Sequence, residues 1–370
     1  MSEILFFPWL LIKEPISFGK FGLYPYDKRS EVTNIIDGRL KSILNNYLRY
    51  FYVNDYVNEN RTIYATTLLS INNKFEIEFN ESLSNELAFL VELIAFCGLG
   101  SRDFFKNGVN YCNKDNFQLK RFSITENQIA YKKITRRRDG ATANGISANK
   151  FRENKPEHVI LSVVNLDKEL LNSLVEAQSN LHASIWDNIF EGILNFNLAN
   201  TDSSSITINI ELVFLVSGFE RLLNSKHGKE DDLANKFIKA FETFQTIEIK
   251  DCVRCNANTL KRFTKCKSVR EIWIRDLFRL RGDLAHGKII KNSTSVWSIN
   301  EHLVLGSFIF PLVAKILLNK LNVYNLSKND SLSVDGFESF LCQPSLNNWN
   351  DVWGKFLLSK HWEEVLKKDS

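Results

Sequence analysis

The sequence lacks most of what several large protein classes need. Six cysteines spread unevenly over 370 residues do not make the framework of a disulfide-stapled secreted domain, and free thiols point to a reducing compartment, the cytoplasm. No basic stretch precedes the apolar start "MSEILFFPWLLIKEP" and no small-residue cleavage site follows it, so it reads as a first strand rather than a secretory leader. The longest apolar window, residues 303–313, is broken by Pro311 and closed by Lys315, short of the roughly 20 residues a bilayer span requires. No membrane partner is expected. "FGKFG" (residues 18–22) does not follow the strand, loop and helix order of a phosphate-binding loop, which argues against a P-loop nucleotide hydrolase. G-x-S-x-G and H-E-x-x-H are absent, excluding the serine-hydrolase elbow and the zincin motif. There are no internal repeats and no low-complexity tracts.

What is present divides in two. A chain of 370 residues with 44% hydrophobic residues can bury two cores of ordinary size. Residues 1–135 mix aromatic strand-like runs ("EILFFPWLLI", "ISFGKFGLYPY", "RTIYATTLLSI") with helical spacing over residues 36–51 and 82–100, an α+β domain of unassigned role. From 136 to 156 apolar periodicity gives way to Gly, Asn and charge, a loop or linker, and "HVILSVVNL" (158–166) reads as a last strand. From 167 to 325 long segments with apolar stripes at helical spacing follow one another, as in a helical bundle. The first of these, "DKELLNSLVEAQSNLHASIWDNIFEGILNF", reads as one run. Residues 326–370 add a helical extension containing "GFESFLCQ" and the Trp-bearing "NNWNDVWGKFLLSKHWEEVL".

The net charge of +4 is small, but its distribution is uneven. Residues 250–288 hold eleven Lys and Arg against four Asp and Glu, 11 − 4 = +7, enough to neutralise phosphates on a polyanion or to make a solvated basic face. Within this segment, Cys252 and Cys255 form a CxxC pair followed by Cys266. That is a weak start for zinc, because no second close pair follows and only His227 or His286 offers a distant fourth ligand. The same segment ends in "FRLRGDLAHG", with Arg281 five residues before His286. Seventeen arginines and six histidines predict about 0.3 chance pairs at this spacing, so the spacing alone identifies nothing.

The surroundings are more specific. Phe278 stands three residues before Arg281, His286 is followed directly by Gly287, the long apolar helix "INIELVFLVSGFERLL" precedes the motif, and another long helix follows at 299–321. This arrangement resembles the HEPN superfamily, in particular its Apea-like members, over roughly residues 167–325. The resemblance implies a HEPN bundle and a metal-independent, dimeric endoribonuclease that needs no cofactor. Arg281 and His286 would be its catalytic residues, two copies of each lining one cleft. It further implies RNA as partner and a role in toxin-antitoxin systems or anti-phage defence, with a neutralising or sensing protein as a further partner. Chemistry agrees independently: cleaving RNA through its own 2′-hydroxyl needs a group that titrates near neutrality and a fixed cation for the phosphorane charge.

Two details are open at this level. Five residues on a regular helix rotate the side chains about 140° apart, so bringing both to one place calls for a helix break between Arg281 and Asp283 or for a second chain. Asp283 would then cap the new helix or orient its neighbours; the family has a polar residue directly after the Arg, where this chain has Gly282. Arg279 and Lys288 are supporting candidates for phosphate contact, and Glu220 and Arg221 upstream could face the same cleft or form a helix-surface pair. The alternative function is a non-catalytic HEPN module that binds nucleotide or RNA and dimerises.

Overall fold

The computed structural model describes residues 2–30, 35–54, 60–101, 111–124, 130–131, 135–136, 142–143, 146–147, 152–226, 228–244, 246–287 and 295–344. The chain divides into two compact units, residues 1–95 with 109–168, and residues 96–108 with 169–370. The first contains sheets and the second is helical.

In the sheet-containing unit the chain runs β1 (Ser2–Phe7), β2 (Ile16–Phe18), β3 (Phe21–Asp27), α1 (Gly38–Leu48), β4 (Phe51–Asn54), β5 (Asn60–Thr62), β6 (Ala65–Ile71) and β7 (Ile77–Glu78). After α2 (Glu81–Gly100) come β8 (Lys120–Ser123) and the two-residue strands β9 (Ala130–Tyr131), β10 (Thr135–Arg136), β11 (Thr142–Ala143), β12 (Ile146–Ser147) and β13 (Glu153–Asn154). The main sheet is ordered β12-β9-β8-β1-β6-β3-β2, with β7 also on β1. Strand β1 lies inside it, antiparallel to β6 and β8, and Ile4 to Phe7 are all fully buried. A continuous apolar run, rather than alternation, is what a strand covered on both faces requires. The β2–β3 hairpin turns through Gly19 and Lys20, and Gly19 takes a φ of 53°, which favours glycine. Helix α1 starts where Asp37 accepts from the Leu40 backbone N–H, and its stripe of Leu40, Ile43, Leu44, Tyr47 and Leu48 joins Phe6, Trp9, Phe51 and Phe122 in one core.

Two expectations fail in this unit. Residues 158–166 form no strand: one parallel bridge joins Val163 to Leu11, while Ile160 and Val163 stay about half exposed. The side-chain amides of Asn113 and Asn116 donate to the carbonyls of His158 and Ile160, taking acceptors that a ladder would need. The stretch 136–156, read as a loop, carries paired strands, and β13 lies parallel to β4.

The helical unit contains α3 (Lys168–Asn180) from its second residue onward, α4 (Ala183–Leu198), α5 (Ile208–Leu222), α6 (Glu230–Ala240), α7 (Ala257–Arg262), α8 (Val269–Ala285), α9 (Ile299–Lys320) and α10 (Lys328–Leu341). The segment read as one helical run splits at His182, whose imidazole accepts from the Ser184 N–H and caps α4. Helices α4 and α5 approach closely because Gly192 and Gly218 face each other; a Cβ on Gly192 would lie 3.2 Å from the Gly218 carbonyl oxygen. Gly306 of α9 receives Leu215 of α5 in the same way. Phe219 stands where α5, α6, α8 and α9 converge, its ring 5.8, 5.9 and 5.0 Å from Phe237, Trp273 and Phe310.

Helix α9 runs through Pro311 to Lys320, close to the single long helix expected over 299–321, although the proline breaks its apolar window. By length and composition α2 and α9 could each cross a bilayer, yet most of the α9 window is buried within the protein. Lys315 is sealed inside by an ion pair with Asp330 of α10 at 2.6 Å. Of the two helices expected after residue 326, α10 is present and the Trp-bearing stretch lies outside the described residues.

Candidate functional site

Helix α8 carries the 278–287 motif and has a distinct function on each side. Ser268 caps its start, accepting from Glu271 N–H. On the inward face, Asp276 Oδ2 accepts from the backbone N–H groups of Val296 (2.7 Å) and Trp297 (3.3 Å) and lies 3.2 Å from His302 Nε2, so α8 fixes the approach to α9. The capping box of Ser298 and Glu301 then starts α9.

Arg281 Nη2 donates to Glu220 Oε1 across 2.8 Å, joining residues 61 apart in sequence. The same carboxylate oxygen accepts from the Gly228 N–H at 3.1 Å, so Glu220 holds both the arginine and the loop after α5. Glu220 is 5% exposed and Arg281 14%. The Phe278 ring lies 4.8 Å from the Arg281 guanidinium, so the aromatic residue of the motif supports the cation from one turn back. Arg281 Nε is buried without a hydrogen-bond acceptor. The arginine is thus held by Glu220 and Phe278, with its buried Nε–H left without an acceptor.

His286 is the C-cap of α8 and is exposed. Its backbone N–H bonds to Gly282 O, and Gly287 beyond it takes a φ of 66°. A left-handed residue after the cap ends a helix abruptly, so the His-Gly pair presents the imidazole at the helix end. This corrects one expectation. Helix α8 is continuous to Ala285, with no break between Arg281 and Asp283, and Asp283 sits in its last turn instead of capping a new helix. Regular helical geometry therefore keeps Arg281 and His286 on different faces of one chain, and no hydrogen bond joins them. Gly282 is not demanded by packing: a Cβ there would meet nothing within 4 Å.

The other candidates are placed as follows. Arg279 grips Glu230 with Nε at 3.0 Å and Nη2 at 2.8 Å and lies over Phe263, with its side chain 39% exposed. Lys288 lies outside the described residues. Arg221 is exposed on the last turn of α5. The +7 segment as a whole is largely answered by acids: Arg254 pairs with Glu301, Arg270 with Glu338, and Arg275 with Glu230, Asp231 and Glu271. Lys261, Lys265 and Lys267 remain exposed.

Cys252 and Cys255 are buried, and the thiol that joins them in hydrogen bonding is Cys342 after α10, not Cys266. The bond to Cys252, then burial, pushes the Cys255 and Cys342 thiols above the ordinary range, while burial and then Glu271 push Cys266 up to about 11. Among the described residues no group of three or more His, Cys, Asp or Glu side chains is arranged to hold a metal ion. His227 lies outside them. Sequence reasoning missed Cys342, which is 76 or more positions from the other three in the chain and gives no local signal.

No family model, no curated protein and no solved structure matches this chain.

Proposed function

We propose that the helical unit is a HEPN-type, metal-independent endoribonuclease, acting as a cytoplasmic homodimer in toxin-antitoxin or anti-phage defence and restrained or triggered by a partner protein. The observation that carries this reading is the motif helix itself. Arg281 is anchored by Glu220 at 2.8 Å over Phe278, and His286 stands exposed at a helix end fixed by Gly287. A 2′-hydroxyl of RNA attacks the adjacent phosphorus and expels the 5′-oxygen, leaving a 2′,3′-cyclic phosphate and a 5′-hydroxyl. His286 takes or supplies the proton, and Arg281 neutralises the charge that accumulates on the phosphoryl oxygens. Since the two side chains lie on different faces of one α8, a twofold axis beside the motif supplies each site with groups from both subunits.

The test is incubation of the full chain with RNA in excess EDTA, beside His286→Ala and Arg281→Ala. Cutting that leaves 2′,3′-cyclic phosphate ends and falls by about 100-fold or more in each variant is the expected result. A second reading, a non-catalytic nucleotide- or RNA-binding and dimerisation module, draws on the Glu220 carboxylate, which already offsets the Arg281 charge. RNA binding with no cutting by the wild type under any trigger favours it.

A further inference from the structure

Beside the Arg281 anchor, one face of the α4–α5 hairpin opens into a polar cavity of about 380 Å³, within the size range of small-molecule sites. Its construction follows from helix spacing. Asn188, Glu191 and Asn195 recur at i, i+3 and i+7 on α4, and Ser217, Glu220, Arg221 and Asn224 recur at i, i+3, i+4 and i+7 along α5 and its end. The glycines at 192 and 218 draw the two backbones together, so the flanking polar stripes face each other across a groove. Asn224 is held at the mouth by the helix terminus: its φ is 49°, and the Ser225 N–H returns to the Glu220 carbonyl at 2.8 Å.

The chemistry of this lining is selective. Among the described residues the side chains of Asn188, Glu191, Arg221 and Asn224 have no hydrogen-bond or ion-pair partner, although Asn188 is half-buried. A carboxylate can accept from two adjacent N–H donors at once. Of the four RNA bases only guanine offers such a pair, N1–H beside the N2 amine, on its Watson–Crick edge. Amides on either side can donate to O6, and an unpaired arginine at the rim suits a phosphate. The wall shared with Arg281 is Glu220, which places this pocket next to the proposed scissile phosphate.

We propose that the α4–α5 pocket is a base-reading subsite for guanosine in single-stranded RNA, with Glu191 reading the guanine edge, Asn188 and Asn224 flanking it, and Arg221 holding the adjoining phosphate. This deepens the ribonuclease reading and rests on it for the identity of the polymer. The probes are the four nucleoside 3′-monophosphates, titrated calorimetrically into the full-length His286→Ala chain. Guanosine 3′-monophosphate binds about tenfold or more tighter than the other three, and Glu191→Gln reduces that preference to within about twofold. Arg221→Ala weakens all four by about fivefold without changing their order. Glu191 and Arg221 are exposed, so both variants should keep the wild-type circular dichroism and melting temperature. Equal affinities for the four nucleotides, or a guanosine preference that survives Glu191→Gln, overturns the proposal. The two readings fail separately: RNA cut without bias toward guanosine removes the pocket's role and leaves the ribonuclease, whereas Glu191-dependent guanosine binding by a chain that cuts no RNA keeps the pocket and removes the ribonuclease.

Discussion

The two units bury their polar groups in different ways. Inside the sheet-containing unit the buried polar side chains among the described residues are neutral: Thr66 and Thr67 donate to the carbonyls of Phe7 and Leu10 at 2.7 Å, and Asn116 donates to those of Trp9 and Ile160. Inside the helical unit they include Glu211, Glu220, Arg270, Asp276, Glu301, Lys315, Asp330 and Glu338. A sheet leaves irregular crossings whose stray carbonyls a hydroxyl or amide can satisfy. Helices satisfy their own backbones, so a polar side chain between them turns to N–H groups of the connecting loops, as Asp276 and Glu211 do, or to a side chain of opposite charge. The ion pairs therefore join helix to helix: Arg270 of α8 to Glu338 of α10, Lys315 of α9 to Asp330 of α10. Such pairs fix which helix faces which more than they add net stability.

Breaking the contrast at its strongest point should give the largest effect. Arg270→Met leaves Glu338, 2% exposed, without its cation and is expected to cost about 3–5 kcal/mol in denaturant unfolding. The double variant Arg270→Met/Glu338→Leu should recover most of that loss. If the single variant loses under 1 kcal/mol, the pair is not what locks α8 to α10. Next comes packing. Gly306→Ala places a Cβ 2.2 Å from Leu215 Cδ2 and is expected to cost about 1–3 kcal/mol, read as a lowered melting temperature.

Acid should separate the units. Burial works to raise the Asp330 carboxyl, but the Lys315 ammonium beside it and the hydroxyls of Ser327 and Tyr324 overrule burial and hold it below its ordinary 3.8. A depressed carboxyl contributes stability that is full above the unfolded value and lost as pH falls through the lower folded one. Below pH 3.8 the indole NMR signal of Trp273 should therefore collapse before that of Trp9, and Asp330→Asn should flatten the pH dependence of the Trp273 transition. Simultaneous loss of both signals argues against the assignment.

The neutral interior predicts less. Thr67→Val leaves the Leu10 carbonyl without its donor and should cost about 1 kcal/mol, a fraction of the charged case. Smallest, and opposite in sign, is Gly282→Ala, which fills open space in a helix and should add about 0.5–1 kcal/mol. If RNA cleavage falls in the more stable Gly282→Ala protein, the vacant space beside Arg281 serves substrate or a second subunit.

The sequence showed local features well and long-range ones poorly. The helical runs that form α1, α2, α5 and α9 were legible because apolar spacing is written in consecutive residues. The +7 segment misled, since Arg254, Arg270 and Arg281 meet acids 47, 68 and 61 positions away. At the candidate site, Arg281, His286 and Phe278 were named from the motif, whereas Glu220 was one of two undistinguished residues until α5 and α8 were packed together.

By itself the sequence determined that aromatic strands come first and amphipathic helices follow, because periodicity and caps are short-range facts written in consecutive residues. Only the tertiary structure decided which charges cancel, which thiols meet, and that α8 runs unbroken past Arg281. Those outcomes depend on helices distant in the chain, whose packing selects the partners of the buried charges.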